Sequence, residues 1–282
     1  MLGRFGKDAG SLLGVEIASD SVRVIQLQGC RRRHRVTACV SEPLAPQGAD
    51  GANADPDAIA AALRSALRRS GSRQRLAALA LPGSQVICKR CHLPMGLGPA
   101  QLEAHLLADA ERLFPFPLED LALDFQVLGD GGERAGCQEV LVAACRQRAL
   151  EPLEQLAVQA GLQLMAVEVD SIALQRLLPG AVSGNQALLR LEQGEATLHY
   201  WPRGQAPQRH ALALSAGSWG APLALQLPSL PVVGDQAQVP ERLDAFSRVL
   251  GVPCQPLADL PGLAASGGAM ALAYALALGG LR

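Results

Sequence analysis

Residues 112–129 read RLFPFPLEDLALDFQVLG. Pro115 and Pro117 each lock a φ angle, and each pushes the residue before it out of the helical region. The helical spacing of Leu102, Leu106, Ala110 and Leu113, which opens at Pro99, must therefore stop at Phe114. Beyond the prolines the chain turns extended, and a strand is predicted over 122–128. Downstream, DGGERAG (130–136) is a loop and EVLVAAC (139–145) a buried strand. A helix over 150–160 is closed by Gly161, then come a strand over 162–170 and a helix over 171–178.

Upstream the pattern is similar. GVEIASDSVRVIQLQ (14–28) reads as strand, polar turn and strand. RRRHR (31–35) falls at a hairpin tip before the strand VTACV. A charge cluster there is ordinarily a solvated loop, with contact to anionic lipid or an acidic partner as the functional alternative. Asp55 and Pro56 open a helix over 55–69 with Ile59, Ala62, Leu63, Ala66 and Leu67 on its apolar face. LAALALPG (76–83) is a buried strand and 85–93 another.

That last strand carries CKRCH (88–92), the spacing of a haem attachment motif and half of a zinc site. Residues three apart on a strand point to opposite faces, so Cys88 and Cys91 cannot share a metal, a haem or a disulfide. No second Cys-x-x-Cys exists to complete a four-cysteine site. The five histidines are scattered without metal spacing, and no Ser or Cys nucleophile motif accompanies them. Trp201 and Trp219 flank a proline-rich segment and read as packing rather than a ligand box.

The bulk properties exclude other classes. A formal charge of −1 gives no concentrated basic surface for nucleic acid. Seven cysteines, an odd number spread along the chain, make no disulfide framework. The first residues lack the apolar core of a secretion signal, so the cytoplasm is the expected compartment. The charge-free stretch 263–281 is nearly long enough to span a bilayer, but its glycines and alanines read as a buried helix that lets another backbone approach closely.

After residue 184 a second half begins. QALLRLEQGEATLHYW (186–201) is a hairpin turning at Gln193-Gly194, followed by a strand at Val232-Val233, a helix over 240–250, a strand near 252–255 and the apolar last helix. Each half opens on a hairpin and then alternates helix with strand, which predicts two related α/β lobes, the second much smaller.

RLFPFPLEDLALDFQVLG, the following EVLVAACRQRALEPLEQLAVQAGLQLMAVEVDSIALQRLL and the opening LLGVEIASDSVRVIQL together resemble the PilM family of type IV pilus assembly proteins. The resemblance covers residues 1–178 well and the last fifty weakly. It implies an actin-like, FtsA-like two-lobed fold, related to ribonuclease H, with an inserted α+β subdomain of the SHS2 kind and a truncated second lobe. The expected divisions are 1–80 and 162–184 for the first lobe, 81–161 for the insertion and 185–282 for the reduced second lobe.

The resemblance also implies a partner: the cytoplasmic N-terminal peptide of a PilN-like inner-membrane protein, held in a groove between first lobe and insertion. Phe114, Phe116 and Leu118 are the first candidates for that groove, with Val22 and Val24 beside them. The chain would then sit at the inner membrane through its partner, with a homodimer left open. Family members bind ATP between the lobes. Glu16, Ser19, Asp20, Ser21 and Gly234 would be what is left of that site. Glu16 stands where the family has aspartate, Arg190 where its second loop has an acid, Glu192 and Asp235 where it has glycines, and the stretch between Thr197 and Val232 is short. A carboxylate beside a triphosphate repels it. The expectation is therefore a scaffold without catalytic residues, metal or cofactor, like the shortened paralogues of competence and DNA-utilisation operons. The alternatives are an ATP-binding or hydrolysing actin-like protein and the cytoplasmic part of a GspL-like secretion component.

Overall fold

The polar dipeptide Ser19-Asp20 between two apolar runs reverses the chain, so β1 (Leu13–Ile17) pairs with β2 (Ser21–Cys30), and β3 (Arg33–Pro43) returns alongside. The computed structural model describes residues 11–44, 55–130, 134–179, 184–212, 225, 227–258, 260–263 and 265–281; Trp219 lies outside them. α1 (Pro56–Ser70) follows, capped by the Asp55 carboxylate, which accepts the Asp57 N–H, and closed by Gly71 at φ 65°. After β4 (Leu76–Leu81) come β5 (Ile87–Pro94), α2 (Pro99–Ala108), α3 (Ala110–Leu113), β6 (Leu121–Asp130) and β7 (Cys137–Arg146). The single helix expected over 98–113 is thus broken at Asp109. α4 (Glu151–Gln159), β8 (Gln163–Val169) and α5 (Asp170–Gln175) lead to the second half. That half holds β9 (Gln186–Leu191), β10 (Ala196–Trp201), β11 (Gln208–Leu212), β12 (Leu230–Val233), α6 (Pro240–Leu250), β13 (Cys254–Pro256) and α7 (Ala271–Gly279).

The two large sheets repeat one plan. The first runs β3-β2-β1-β4-β8 and the second β11-β10-β9-β12-β13. In each, an antiparallel meander of three strands continues into two parallel ones. The second sheet therefore has as many strands as the first. Only its cover is lighter, with Leu243, Phe246 and Leu250 of α6 packed over Leu189, Leu198 and Val232.

Between the two halves of the first lobe lies a separate antiparallel sheet, β5-β7-β6, whose apolar face takes Leu102 and Leu106 of α2 together with Phe114. Its strands end at Arg146. α4, expected inside the insertion, packs instead with α1 under the first sheet: Leu156 and Ala157 meet Leu63, Ala66 and Leu67.

α7 also departs from the expected division. It lies against β1, β2, β4 and α5 of the first lobe, although its sequence follows the second. Ala271 through Ala277 are buried, in one core with Ile25, Leu27 and Ala78 of the first lobe and Leu188, Trp201 and Val233 of the second. A Cβ on Gly14 would sit 1.9 Å from the Ala273 carbonyl oxygen, so glycine and alanine are what let strand and helix backbones touch. Among the described residues no helix is long and apolar enough to cross a membrane.

Candidate functional site

The hairpin turns β1–β2 and β9–β10 bring charged side chains together between the lobes. On the first hairpin Glu16 pairs across the strands with Arg23, and both are buried. On the second, Arg190 near the end of β9 and Glu192 just after it point the same way. Arg23 bonds Glu192 twice, at 3.0 Å through each terminal nitrogen, and approaches Glu16 at 3.5 Å. Arg190 reaches Glu16 through Nη2 and Glu192 through Nε at 3.1 Å. The result is a closed ring of two guanidinium groups and two carboxylates, half of it from each lobe.

The ring is tied to its surroundings. Arg23 Nη1 donates to the Ala269 carbonyl at 2.8 Å and Nε to Ser21 Oγ at 3.1 Å, while Asp20 approaches at 3.4 Å. Burial works against the Glu192 carboxylate, but the Arg23 hydrogen bonds and the Arg190 charge prevail and hold it below the usual carboxylate range. Burial pushes Glu16 up despite the Arg190 and Arg23 charges. Beside the ring, burial and the neighbouring Glu192 raise Asp235 to about 6. Gly234, at φ 108°, is required by space as well as by backbone: a Cβ there would meet the Leu191 carbonyl oxygen at 2.0 Å.

Of the residues singled out from sequence, Glu16, Asp20 and Ser21 do converge on one point, which is Arg23. Gly234 borders the same cleft, and Ser19 stands exposed at the turn. Arg23 itself was missed. Its signal is an arginine inside the otherwise apolar run SVRVIQL, where a buried charge demands a partner.

A second polar tie lies nearby. Ser171 at the start of α5 is hydrogen-bonded to His199 of β10 at 2.8 Å, and Asp170 accepts the Gly83 N–H at 2.9 Å and faces Arg209 Nε at 3.6 Å. His199 is fully buried, and that burial drives its pKa down to about 4, so the ring is neutral near pH 7. Ser171 and His199 both lie inside the protein, which makes this a joint between lobes.

Two clefts separate the first lobe from the three-stranded sheet. One, of about 320 Å³, is walled by Asp124, Phe125 and Gln126 of β6, by Val167, Glu168 and Val169 of β8, and by Ile172, Arg176 and Arg31. The other, of about 700 Å³, has Phe116, Arg146, Pro152 and Leu153 in its wall. The residues proposed for partner contact do not share either. Val22 and Val24 are wholly buried in the first-lobe core facing α1, because on this strand even numbers point to the helix side. Phe114 fills the core of the three-stranded sheet, with Lys89 Nζ 5.7 Å from its ring. These three cannot touch a partner. Phe116 borders the larger cleft beneath the Arg146 guanidinium, 5.3 Å away, and Leu118 is exposed.

Cys88 and Cys91 lie on β5 as expected, and both thiols are raised by burial, Cys88 to about 11. No cluster of metal-ligating side chains occurs among the described residues.

Compared with solved structures, the chain superposes on a PilM–PilN type IV pilus biogenesis complex with a TM-score of 0.74 at 21% identity, over 97% of this chain and 99% of that one. The ethanolamine utilization protein EutJ from Carboxydothermus hydrogenoformans gives 0.53 at 16% identity, over 95% and 89%. The cytoplasmic domain of EpsL, an inner-membrane component of the type II secretion system of Vibrio cholerae, gives 0.49 at 17%, over 96% and 95%. The duplicated sheets and the likeness to the PilM–PilN complex and to EutJ make the fold actin-like. A family model described as "Type IV pilus assembly protein PilM" matches residues 14–185, more than half of the chain. The chain belongs to the PilM family of type IV pilus assembly proteins.

Proposed function

We propose that this chain is a non-catalytic scaffold of type IV pilus assembly that captures the cytoplasmic N-terminal tail of a PilN-like inner-membrane protein. One observation carries the reading: a ring of the chain's own ion pairs crosses the space between the two hairpins, which is where the family resemblance would put a nucleotide's phosphates. Glu16 and Glu192 satisfy both guanidinium groups, so neither arginine is left to neutralise a triphosphate. The same carboxylates would repel it in a poorly solvated site. These residues do not fit a bound Mg-nucleotide. The interlobe contacts that a nucleotide would otherwise make are supplied by side chains.

The cleft between first lobe and insertion suits an extended peptide. β8 is the edge of the first sheet and β6 the edge of the three-stranded one, and each gives three consecutive residues to the same wall. Edge strands carry unpaired backbone groups, and an extended segment between them pairs with either. Phe125 and Ile172, both only partly buried, supply apolar contacts. Asp124 and Arg31 supply charge, while Arg176 is ion-paired with Glu168, whose other oxygen, Oε1, is buried without a hydrogen bond. On this reading the protein works at the cytoplasmic face of the inner membrane, attached through its partner.

Calorimetric titration with a synthetic PilN-type N-terminal peptide, and separately with Mg-ATP, tests the proposal. Saturable peptide binding with no nucleotide binding tighter than about 10 μM is expected. Tight Mg-ATP binding together with ATP hydrolysis would overturn it.

A further inference from the structure

The hairpin of β2 and β3 ends in a two-residue turn, Arg31-Arg32, closed by the Cys30–Arg33 pair. Arg31, Arg32, Arg33 and Arg35 are all exposed, and among the described residues none lies within 4 Å of a carboxylate, although Arg31 feels the charge of Glu168 across the cleft they share. Four positive charges within five positions stand out on a chain whose net charge is −1. The acidic residues of this hairpin lie at its other end. Asp20 precedes Ser21, which pairs with Pro43, and Glu42 is held by Arg69. At about 3.3 Å per residue that end is roughly 30 Å away, several screening lengths at physiological salt.

The tip is also held in shape. His34 bonds the Arg31 carbonyl through Nδ1 and the Tyr274 hydroxyl through Nε2, which fastens the turn to α7. Gly29, at φ 127°, allows the Arg33 carbonyl oxygen to come within 2.4 Å of where a Cβ would be. The arginines thus project from a firmly held turn, and among the described residues Arg32, Arg33 and Arg35 line neither of the two clefts. An exposed cationic hairpin tip fits a flat anionic surface.

We propose that this hairpin tip is a contact site for anionic phospholipid headgroups at a bilayer surface. Arg31 also stands in the wall of the peptide cleft, so the contact sets the mouth of that cleft toward the membrane. This orienting role rests on the tail-capture reading, whereas lipid contact by the isolated chain does not.

The test is co-flotation of the chain with vesicles of phosphatidylcholine alone and of phosphatidylcholine mixed with phosphatidylglycerol, with no partner present. Each arginine near an anionic surface contributes about fivefold to partitioning. Wild type is expected to float with the anionic vesicles only, and to be released as salt rises from about 0.1 M to about 1 M. The double variant Arg32→Ser/Arg33→Ser, which spares the cleft wall, is expected to bind on the order of 25-fold more weakly. It should melt like wild type and titrate the tail peptide unchanged. Equal flotation with neutral vesicles, undiminished flotation of the double variant, or binding to RNA or polyglutamate without binding to vesicles would each overturn the proposal. Vesicle binding without peptide binding would sustain the lipid site and remove the tail reading.

Discussion

Arg23 is the residue on which the interlobe contact turns. Its guanidinium is buried and meets three carboxylates and a carbonyl, from both lobes. Removing one partner of a buried charge cluster leaves the others uncompensated, which typically costs about 3–5 kcal/mol. Arg23→Met should therefore lower the free energy of unfolding in urea by an amount in that range. Replacing Glu16, Arg23, Arg190 and Glu192 together with apolar residues of similar size should recover most of the loss, since no charge is then stranded. A loss under about 1 kcal/mol for Arg23→Met would show that the ring is solvated. His199 makes a pH-dependent prediction. Its folded pKa is depressed from 6.5 to about 4, so the unfolded chain takes up a proton first as pH falls. Its contribution is complete above about pH 6.5 and declines toward pH 4, by up to about 3 kcal/mol. Melting temperatures measured between those limits should fall with acidification, and His199→Gln should flatten part of that slope.

At the scale of elements, α7 and β1 are fitted by omission of side chains. Gly14→Val would force bulk against the Ala273 and Ala277 backbone, where no flexible side chain can yield. Overpacking of this kind costs about 3 kcal/mol, read as a lower urea midpoint at unchanged slope. The cleft between β6 and β8 offers a complementary test of binding rather than folding. Ile172 is partly buried in its wall, and Ile172→Asp should weaken tail-peptide binding at least about tenfold while leaving the melting temperature nearly unchanged. A variant that binds normally would move the peptide to another surface.

Across the whole molecule, the two lobes share one core around α7, a charged ring and the Ser171–His199 joint. The lobes are thus held together by groups of the chain itself. Ligand that binds only the folded state raises its stability by an amount set by concentration over Kd, about 2.7 kcal/mol at a hundredfold excess over Kd. Mg-ATP at about 1 mM should leave the melting curve where it is; an upward shift of several degrees would contradict the scaffold reading.

Much of this was legible in the residues. The Pro-Phe-Pro run marks where helix gives way to strand, alternation located the hairpins, and the strand holding CKRCH ruled out a shared ligand for Cys88 and Cys91, because each of these is a local property of backbone and spacing. That Arg190 and Glu192 place opposite charges at the second hairpin could also be read without coordinates. What these charges do could not. Arg23 and Glu192 are 169 positions apart, and only the folding of one lobe onto the other brings them to 3.0 Å. In the same way, an unbroken apolar run tells that α7 is buried and hydrophobic period tells which face of α4 is, but neither tells against which sheet, and Val22, Val24 and Phe114 look like anchors until packing encloses them. Local sequence determined the elements; tertiary contact decided the partners, because burial pairs residues by proximity in space and periodicity records only that a pairing exists.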